Sequence, residues 1–269
     1  MDVSIIVTTK NEEKNIGICL GSIKGQDYPA ERVEIIVVDN NSRDKTKEIA
    51  ALYTQKIYNA GPERSSQRNF GMKQASGKYI LYLDADMKLS PGVIGECVGK
   101  CEKENYTALY IPEIIIGNNG WVKVRNFERS FYNATCIDAV RFVRKDKVLE
   151  TGGFDESLTG PEDWDFDRRI KKSGKIGIIN SPLCHDENDF SLKKYLDKKK
   201  YYSLNFQRYI DKWGNGDIII KKQLGFWYRY FGVFIENGKF FRLVAHPVLT
   251  LKMYYLRFLV GVYFLLRKK

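Results

Sequence analysis

The chain lacks several common signatures, and each absence removes a class of protein. Its five cysteines (Cys19, Cys97, Cys101, Cys136 and Cys184) are odd in number and scattered. They lack the paired spacing of a zinc site or a disulfide framework and read as reduced thiols in a cytosolic setting. No Gly-X-Gly-X-X-Gly follows any expected strand, which disfavours a dinucleotide-dependent dehydrogenase. No basic segment precedes the apolar run beginning at Val3, and no small-residue cleavage pattern accompanies it, so no export signal is visible. The longest uncharged part of the last segment, Phe258 to Leu266, is much shorter than the ~20 residues a spanning helix needs. Internal repeats and low-complexity runs are missing too. Acidic residues are scarce at one end: Ser191 to Lys269 holds 4 Asp and Glu against 17 Lys and Arg.

A chain of 269 residues, 43% apolar and 29% charged, can bury a sizeable core as one large domain or as one domain with an appendage. Disorder is not expected for most of it. The net charge of +11 is unevenly placed, because residues 1 to 190 hold 27 basic and 29 acidic residues. The same last 79 residues carry 19 of the 36 aromatics. This shift predicts a boundary near residue 190, between a domain over 1–190 and a basic, aromatic, mainly helical region over 191–269. Such a tail points to phosphate-bearing partners or an anionic membrane surface.

Val3 to Val7 is an apolar, β-branched run that reads as a strand ending in Thr8-Thr9-Lys10-Asn11-Glu12. Ile16, Leu20 and Ile23 then share one helical face, with Asn11 available as the cap. Val33 to Val38 gives a second strand, ending on Asp39-Asn40-Asn41-Ser42-Arg43-Asp44. Strand, helix and strand make a βαβ unit whose crossover implies a parallel pair, so both polar loops fall on one sheet edge. A weaker strand lies near Gln55 to Tyr58, and a helix running through Ala75 is closed by Gly77. Ser90-Pro91 opens another helix with Ser90 as cap. Ala108 to Ile116 reads as a strand, Trp121 to Tyr132 as a helix or ordered loop, and Val140 to Val143 and Lys175 to Ile179 as further strands. The pattern is α/β, with a mixed, mostly parallel sheet flanked by helices.

Tyr79-Ile80-Leu81-Tyr82-Leu83 is a buried-strand pattern that stops on Asp84-Ala85-Asp86. Two acids at a strand's C-terminal end suit a divalent cation, and that edge is where open α/β sheets bind ligands. A solvated loop is the plainer alternative. Gly160-Pro161-Glu162-Asp163-Trp164-Asp165 opens a helix with carboxylates in its first turn; favouring the helix N-terminus is the plainer reading of these acids, and a functional role for Glu162 and Asp163 is equally open. His185, one of only two histidines, follows a strand in the cluster Cys184-His185-Asp186-Glu187. A third metal ligand and a surface or hydrogen-bonded histidine are equally open readings.

In order and separation, five segments resemble the family 2 glycosyltransferases, nucleotide-sugar-dependent enzymes on the GT-A fold, over about residues 1 to 190. They are Ser4-Ile5-Ile6-Val7-Thr8-Thr9-Lys10-Asn11-Glu12, Val37-Val38-Asp39-Asn40-Asn41-Ser42 with Asp44, Arg68-Asn69-Phe70-Gly71, Asp84-Ala85-Asp86 and Gly160-Pro161-Glu162-Asp163. The resemblance implies that Thr8, Glu12 and Asp39 line the nucleotide pocket, with Asp39 accepting a hydrogen bond from the base. It implies that Arg68 lies along ribose and diphosphate. Asp84 and Asp86 match the Asp-X-Asp motif, whose last acid ligates Mn2+ or Mg2+. Asp163 matches the catalytic base, with Glu162 beside it to bind or orient the acceptor, and some relatives use a histidine near His185 as a metal ligand.

The residue types suit this chemistry. Charge grows on the departing diphosphate, and a cation at Asp86 together with Arg68 offsets it. The acceptor hydroxyl is a poor nucleophile that needs a carboxylate such as Asp163. One base facing away from the leaving group implies a single displacement with inversion. The expectation is an inverting, metal-assisted transferase moving a sugar from a UDP-sugar, or secondly a GDP-sugar, to a hydroxyl of a glycan or lipid-linked acceptor. A polyprenyl-phosphate sugar synthase is an alternative whose ionised acceptor needs no base. An inactive nucleotide-sugar-binding scaffold is another. A nucleotidyltransferase is disfavoured because the loop Thr8 to Glu12 has no glycine.

In the tail, Phe226-Trp227-Tyr228-Arg229-Tyr230-Phe231, Met253-Tyr254-Tyr255-Leu256-Arg257-Phe258 and the closing Arg267-Lys268-Lys269 suit peripheral attachment at the cytoplasmic face of a membrane. Packing as core, or against a second copy, is the rival reading. Nucleic-acid binding by the basic stretch from Lys193 to Lys200 has no recognition motif to support it. The sugar, the acceptor and the oligomeric state are not legible.

Overall fold

The computed structural model describes residues 1–203 and 205–266; Leu204 and the basic end Arg267-Lys268-Lys269 lie outside the described residues. The chain forms two compact units, the first Met1–Glu113 with Ala139–Asp186, the second Ile114–Asp138 with Glu187–Lys269. Ile114–Asp138, which precedes the compositional boundary by some way, therefore groups with the tail.

In the first unit, β1 (Val3–Thr9) is buried along its length, as β-branched residues between two covered faces should be. α1 (Ile16–Lys24) buries Ile16, Cys19, Leu20 and Ile23, the expected face. Its cap position is Asn15, not Asn11. Asn11 has φ +54°, its N–H donates to Ser42 Oγ and its Oδ1 accepts from Arg43 N. It therefore stitches the loop after β1 to the loop after the next strand, a use suited to a residue that tolerates the left-handed region.

β2 (Val33–Asp39) runs parallel to β1 with Thr9 opposite Asp39. α2 (Thr46–Ala50), β3 (Ile57–Asn59), α3 (Arg64–Gln74) and β4 (Tyr79–Asp84) follow, and β4 pairs parallel to β1 with Thr8 opposite Asp84. The three polar strand ends thus share one sheet edge. Gly77 does not close α3, which ends at Gln74; a Cβ on Gly77 would come within 2.6 Å of Ser4 N, so glycine permits close backbone approach there.

β5 (Met87–Leu89) and α4 (Val93–Glu104) come next, and α4 begins after Gly92 and not at Pro91, with Val93 N donating to Ser90 O at 3.3 Å. Pro112 divides the expected Ala108–Ile116 strand into β6 (Ala108–Tyr110) and β7 (Glu113–Ile116), because proline cannot supply a ladder donor. α5 (Gly120–Arg129), β8 (Phe142–Arg144), α6 (Lys145–Thr151), α7 (Glu162–Lys171), β9 (Ile176–Ile178) and β10 (Leu183–Asp186) complete this stretch. His185 comes after β9, as expected, and itself lies in a further strand, β10.

The seven-stranded sheet has the order β3-β2-β1-β4-β8-β6-β9, parallel except where β8 pairs antiparallel with β4 and β6. Alternation sends Val3, Ile5, Val7 and Leu81 to one face with α1 and α4 residues, and Ile6, Val38, Ile80 and Tyr82 to the other with Met72, Phe166 and Ile170. β10 pairs antiparallel with β5, placing His185 opposite Met87.

The second unit is mainly helical: α5, α8 (Leu192–Ser203), α9 (Phe206–Trp213), α10 (Ile218–Leu224), a π turn at Tyr228–Gly232, α11 (Val233–Ile235), α12 (Phe240–Ala245) and α13 (Pro247–Leu266). Phe131, Phe234, Met253 and Leu256 are fully buried in it. Asp217 caps α10, accepting from Ile219 N and Ile220 N at 2.8 Å. No described helix is long and apolar enough to cross a membrane.

Candidate active site

The strand ends bring Thr8, Asp39 and Asp84 to the C-terminal edge of the sheet. Thr8 Oγ1 donates to Asp84 Oδ1 at 2.9 Å, which fixes that carboxylate from the neighbouring strand. Asp39 is buried and turned toward its own loop, accepting from Ser42 N at 2.7 Å and from Ser42 Oγ. Glu12 accepts from Asn15 Nδ2 at 2.7 Å. Its carboxyl is raised above the usual range, by burial first, against the Asn15 hydrogen bond and with the charges of Asp86, Asp44 and Asp84 adding to the rise.

α3 places Arg64 and Arg68 four residues apart, hence on one helical face. Arg68 is wholly buried, its guanidinium 4.8 Å from the Tyr82 ring centroid and 5.1 Å from that of Phe154. Its Nη2 meets Asp84 Oδ1 at 3.0 Å and its Nη1 meets Asp163 Oδ1 at 2.6 Å. Arg64 contacts Asp84 Oδ2 and Glu162 Oε1, both at 3.2 Å. Two guanidiniums therefore gather three carboxylates from two separate acidic motifs. Burial raises the Asp84 carboxyl, but Arg68, Arg64 and Arg141 outweigh it and hold the group well below the ordinary range. Glu162 is pushed up, by burial and then by Asp163, with Arg64 and Arg68 opposing. Its Oε2 is buried with no hydrogen-bond partner among the described residues.

Asp86 follows β4 and faces His185 on β10, Oδ2 to Nε2 at 3.0 Å. His185 Nδ1 lies 3.1 Å from Glu113 Oε1, and Glu113 Oε2 accepts from Arg141 Nη2 at 3.4 Å. Burial lowers the His185 pKa, yet the two carboxylates outweigh it and carry it up to about 10. Asp84, Asp86 and His185 do not converge as one cage: among the described residues no three His, Cys, Asp or Glu side chains could hold a metal ion. Asp86 Oδ1, however, is buried and has no hydrogen-bond partner among the described residues. One or two protein ligands of this kind fit Mg2+ or a similar cation that takes its remaining oxygens from a diphosphate and water.

Arg64, Glu113 and Arg141 belong to this site although no motif marks them. Arg64 could have been found from its four-residue spacing to Arg68, and Glu113 as a lone acid within an apolar strand run. Arg141 carries no such signal; only the β8 pairing brings it here.

An open α/β sheet with carboxylates and arginines gathered at its C-terminal edge is the arrangement of a GT-A glycosyltransferase. Residues 4–157 match glycosyl transferase family 2. The chain belongs to that family and is a glycosyltransferase of it. It is 28% identical to glycosyltransferase AglE of Haloferax volcanii over 219 residues, 71% of this chain and 70% of that one. It is 25% identical to the beta-monoglucosyldiacylglycerol synthase of Trichormus variabilis over 248 residues, 83% of this chain but 52% of the relative, so it spans about half of that protein. Among solved structures, the mannosyltransferase of Pyrobaculum calidifontis in complex with GDP-Man and Mn2+ superposes with a TM-score of 0.67 at 18% identity, covering 99% of this chain and 88% of that one. The Staphylococcus aureus TarS fragment in complex with UDP-GlcNAc gives 0.61 at 21% identity, covering 86% and 73%.

Proposed function

We propose that the chain transfers a sugar, with inversion, from a nucleotide diphosphate donor to a hydroxyl of a glycan or lipid-linked acceptor, with Asp163 as the general base. The observation that carries this reading is the double cross-link by which Arg64 and Arg68 hold Asp84, Glu162 and Asp163 together. A UDP-sugar is the first choice of donor and a GDP-sugar the second. The UDP-GlcNAc and GDP-Man complexes of the structural neighbours support both.

Arg68, expected along the ribose and diphosphate, is wholly buried and is proposed instead to orient the carboxylates, while partly exposed Arg64 is the guanidinium best placed to move onto the donor's phosphates. A divalent cation held by Asp86 with His185, and with Asp84 nearby, would neutralise charge that develops on the diphosphate. Thr8, Glu12 and Asp39 are proposed to line the nucleotide pocket; Asp39 would release Ser42 to accept from the base. Glu162, kept up by burial, can donate or accept a hydrogen bond at the acceptor while Asp163 takes the hydroxyl proton. The carboxylate pair favours a hydroxyl acceptor over an already ionised polyprenyl phosphate. A lipid-borne acceptor would be met at a membrane surface through the residues beyond 190.

Thermal stabilisation by UDP and by GDP, each with and without Mn2+, tests the donor site. Ligand at a hundredfold excess over Kd should stabilise the protein by about 2.7 kcal/mol. The expected result is a cation-dependent shift with one nucleotide, lost in Asp86→Asn. Asp163→Asn should keep that shift while abolishing transfer; full transfer by this variant would instead support the phosphate-acceptor reading.

A further inference from the structure

α13 is built the reverse way from a helix meant to face water. Arg257 points into the second unit and is buried, its Nη1 donating to Glu128 Oε1 and, at 2.9 Å, to Tyr132 on the residues of and just after α5, its Nη2 donating to Arg229 O. Met253 and Leu256 are buried beside it. These contacts fix the rotation of the helix about its axis and leave Val248, Leu251, Tyr255 and Phe258 outward, at spacings of three, four and three, all exposed. Leu251 is 72% and Phe258 62% exposed. A charge is thus spent inside while an apolar stripe is left outside, and nothing in α13 itself gains from that arrangement in water.

The stripe is not isolated. Thirteen of the eighteen exposed large hydrophobic side chains among the described residues lie between Tyr201 and Phe258. They include Phe240, Phe241 and Val244 on α12, and Phe226, Trp227 and Phe231 at the π turn. Phe231 is 6.3 Å from Tyr254, which ties the turn to α13, and Trp227 is 76% exposed. Exposed Lys221, Lys222, Arg242 and Lys252 stand among these aromatics, with stems long enough to keep their charges at a headgroup layer. Ser191 to Lys269 carries 17 basic against 4 acidic residues, so a second copy brought against this face would meet charge of its own sign, whereas anionic lipid is complementary.

We propose that α13, α12 and the Tyr228–Gly232 turn form a docking face for an anionic lipid surface, with Leu251, Tyr255, Phe258 and Trp227 entering the headgroup boundary. The helix would lie on the surface and not cross it, as its content of Lys252 and Arg257 requires. The proposal deepens, and rests on, the reading in which the acceptor is lipid-borne.

The full chain should sediment with vesicles of phosphatidylcholine containing phosphatidylglycerol, and about tenfold or more weakly with phosphatidylcholine alone. Brominated acyl chains should quench its fluorescence, and Trp227→Phe should remove much of that quenching. The double variant Leu251→Ser, Phe258→Ser should lose about tenfold in affinity per side chain. No sedimentation at low salt, or unchanged binding by the double variant, overturns the proposal. So does lipid-free self-association of the native protein that the same variant abolishes, since the face then belongs to a second copy. Stabilisation by UDP or GDP, measured on the same samples, separates the two readings: a nucleotide shift without vesicle binding removes only the docking face, and vesicle binding without a nucleotide shift removes only the donor site.

Discussion

Arg68 Nη1 and Asp163 Oδ1 lie 2.6 Å apart, a contact between the middle of α3 and the first turn of α7, and the same guanidinium reaches Asp84. A buried arginine with two acids is costly to break from one side, since the remaining charges lose their partner. Arg68→Met should destabilise the protein by about 3 kcal/mol, the lower end for buried pairs because both acids retain some exposure. Transfer should fall by roughly a hundredfold as the acids lose their geometry. Arg68→Lys should restore little, because a point-like ammonium cannot bridge two carboxylates at once. Urea unfolding and turnover of the two variants decide it.

A second ion cluster lies near the N-terminal ends of β1 and β2, where Ser4 is opposite Glu34. Glu34, buried near the start of β2, accepts from Ser4 Oγ, Ser76 N, Ser76 Oγ, Gly77 N and Lys56 Nζ. Burial raises its pKa, but these hydrogen bonds win and lower it from 4.5 to about 2. A carboxyl depressed on folding stabilises at pH values above its unfolded pKa, and that contribution disappears as pH falls from about 4.5 toward 2. Glu34→Gln should therefore lower stability at neutral pH by on the order of 2–3 kcal/mol and flatten the acid limb between pH 5 and 2. An equally steep acid limb in the variant would show that other carboxylates control it.

Gly71 sets how closely α3 approaches the sheet. A Cβ there would lie 2.5 Å from Ile6 Cγ2 and 3.2 Å from Val38 Cγ2, on strands with no room to retreat. Alanine gains about 1 kcal/mol of helix propensity over glycine, while overpacking loses about 1–3 kcal/mol. Gly71→Ala should be destabilising overall and should slow transfer, because the same helix carries Arg64 and Arg68. A stability equal to or above the native value would mean that α3 can shift outward without loss.

The central sheet was legible because β1, β2 and β4 are apolar runs that end on polar residues, Thr9, Asp39 and Asp84, a pattern set by burial and strand direction alone. Helix starts were less so. Asn11 and Ser90 have the chemistry of caps, but loop-to-loop hydrogen bonding claimed Asn11 and α4 began two residues after Pro91. The pairing of Arg68 with Asp163 could not be read from spacing, because it depends on how α7 returns to the sheet. Glu128 and Arg257 were similarly hidden: nothing local distinguishes Arg257, the buried arginine among the described residues of the tail, from Arg208, Arg229 and Arg242, which are not buried.

His185 is the residue on which the cation reading turns. Its Nε2 lies 3.0 Å from Asp86 Oδ2 while its Nδ1 is held by Glu113 at 3.1 Å, so one nitrogen is oriented by a carboxylate and the other is presented toward the candidate ligand. That is the usual relation of a ligating imidazole to its outer partner. If His185 ligates, His185→Ala should raise the Mn2+ or Mg2+ concentration needed for half-maximal transfer by roughly tenfold or more, and Glu113→Gln should do the same to a smaller degree. If His185 only neutralises Asp86, removing it leaves the cation requirement where it was. The variant then loses activity in parallel at every cation concentration, and the site reduces to Asp86 alone.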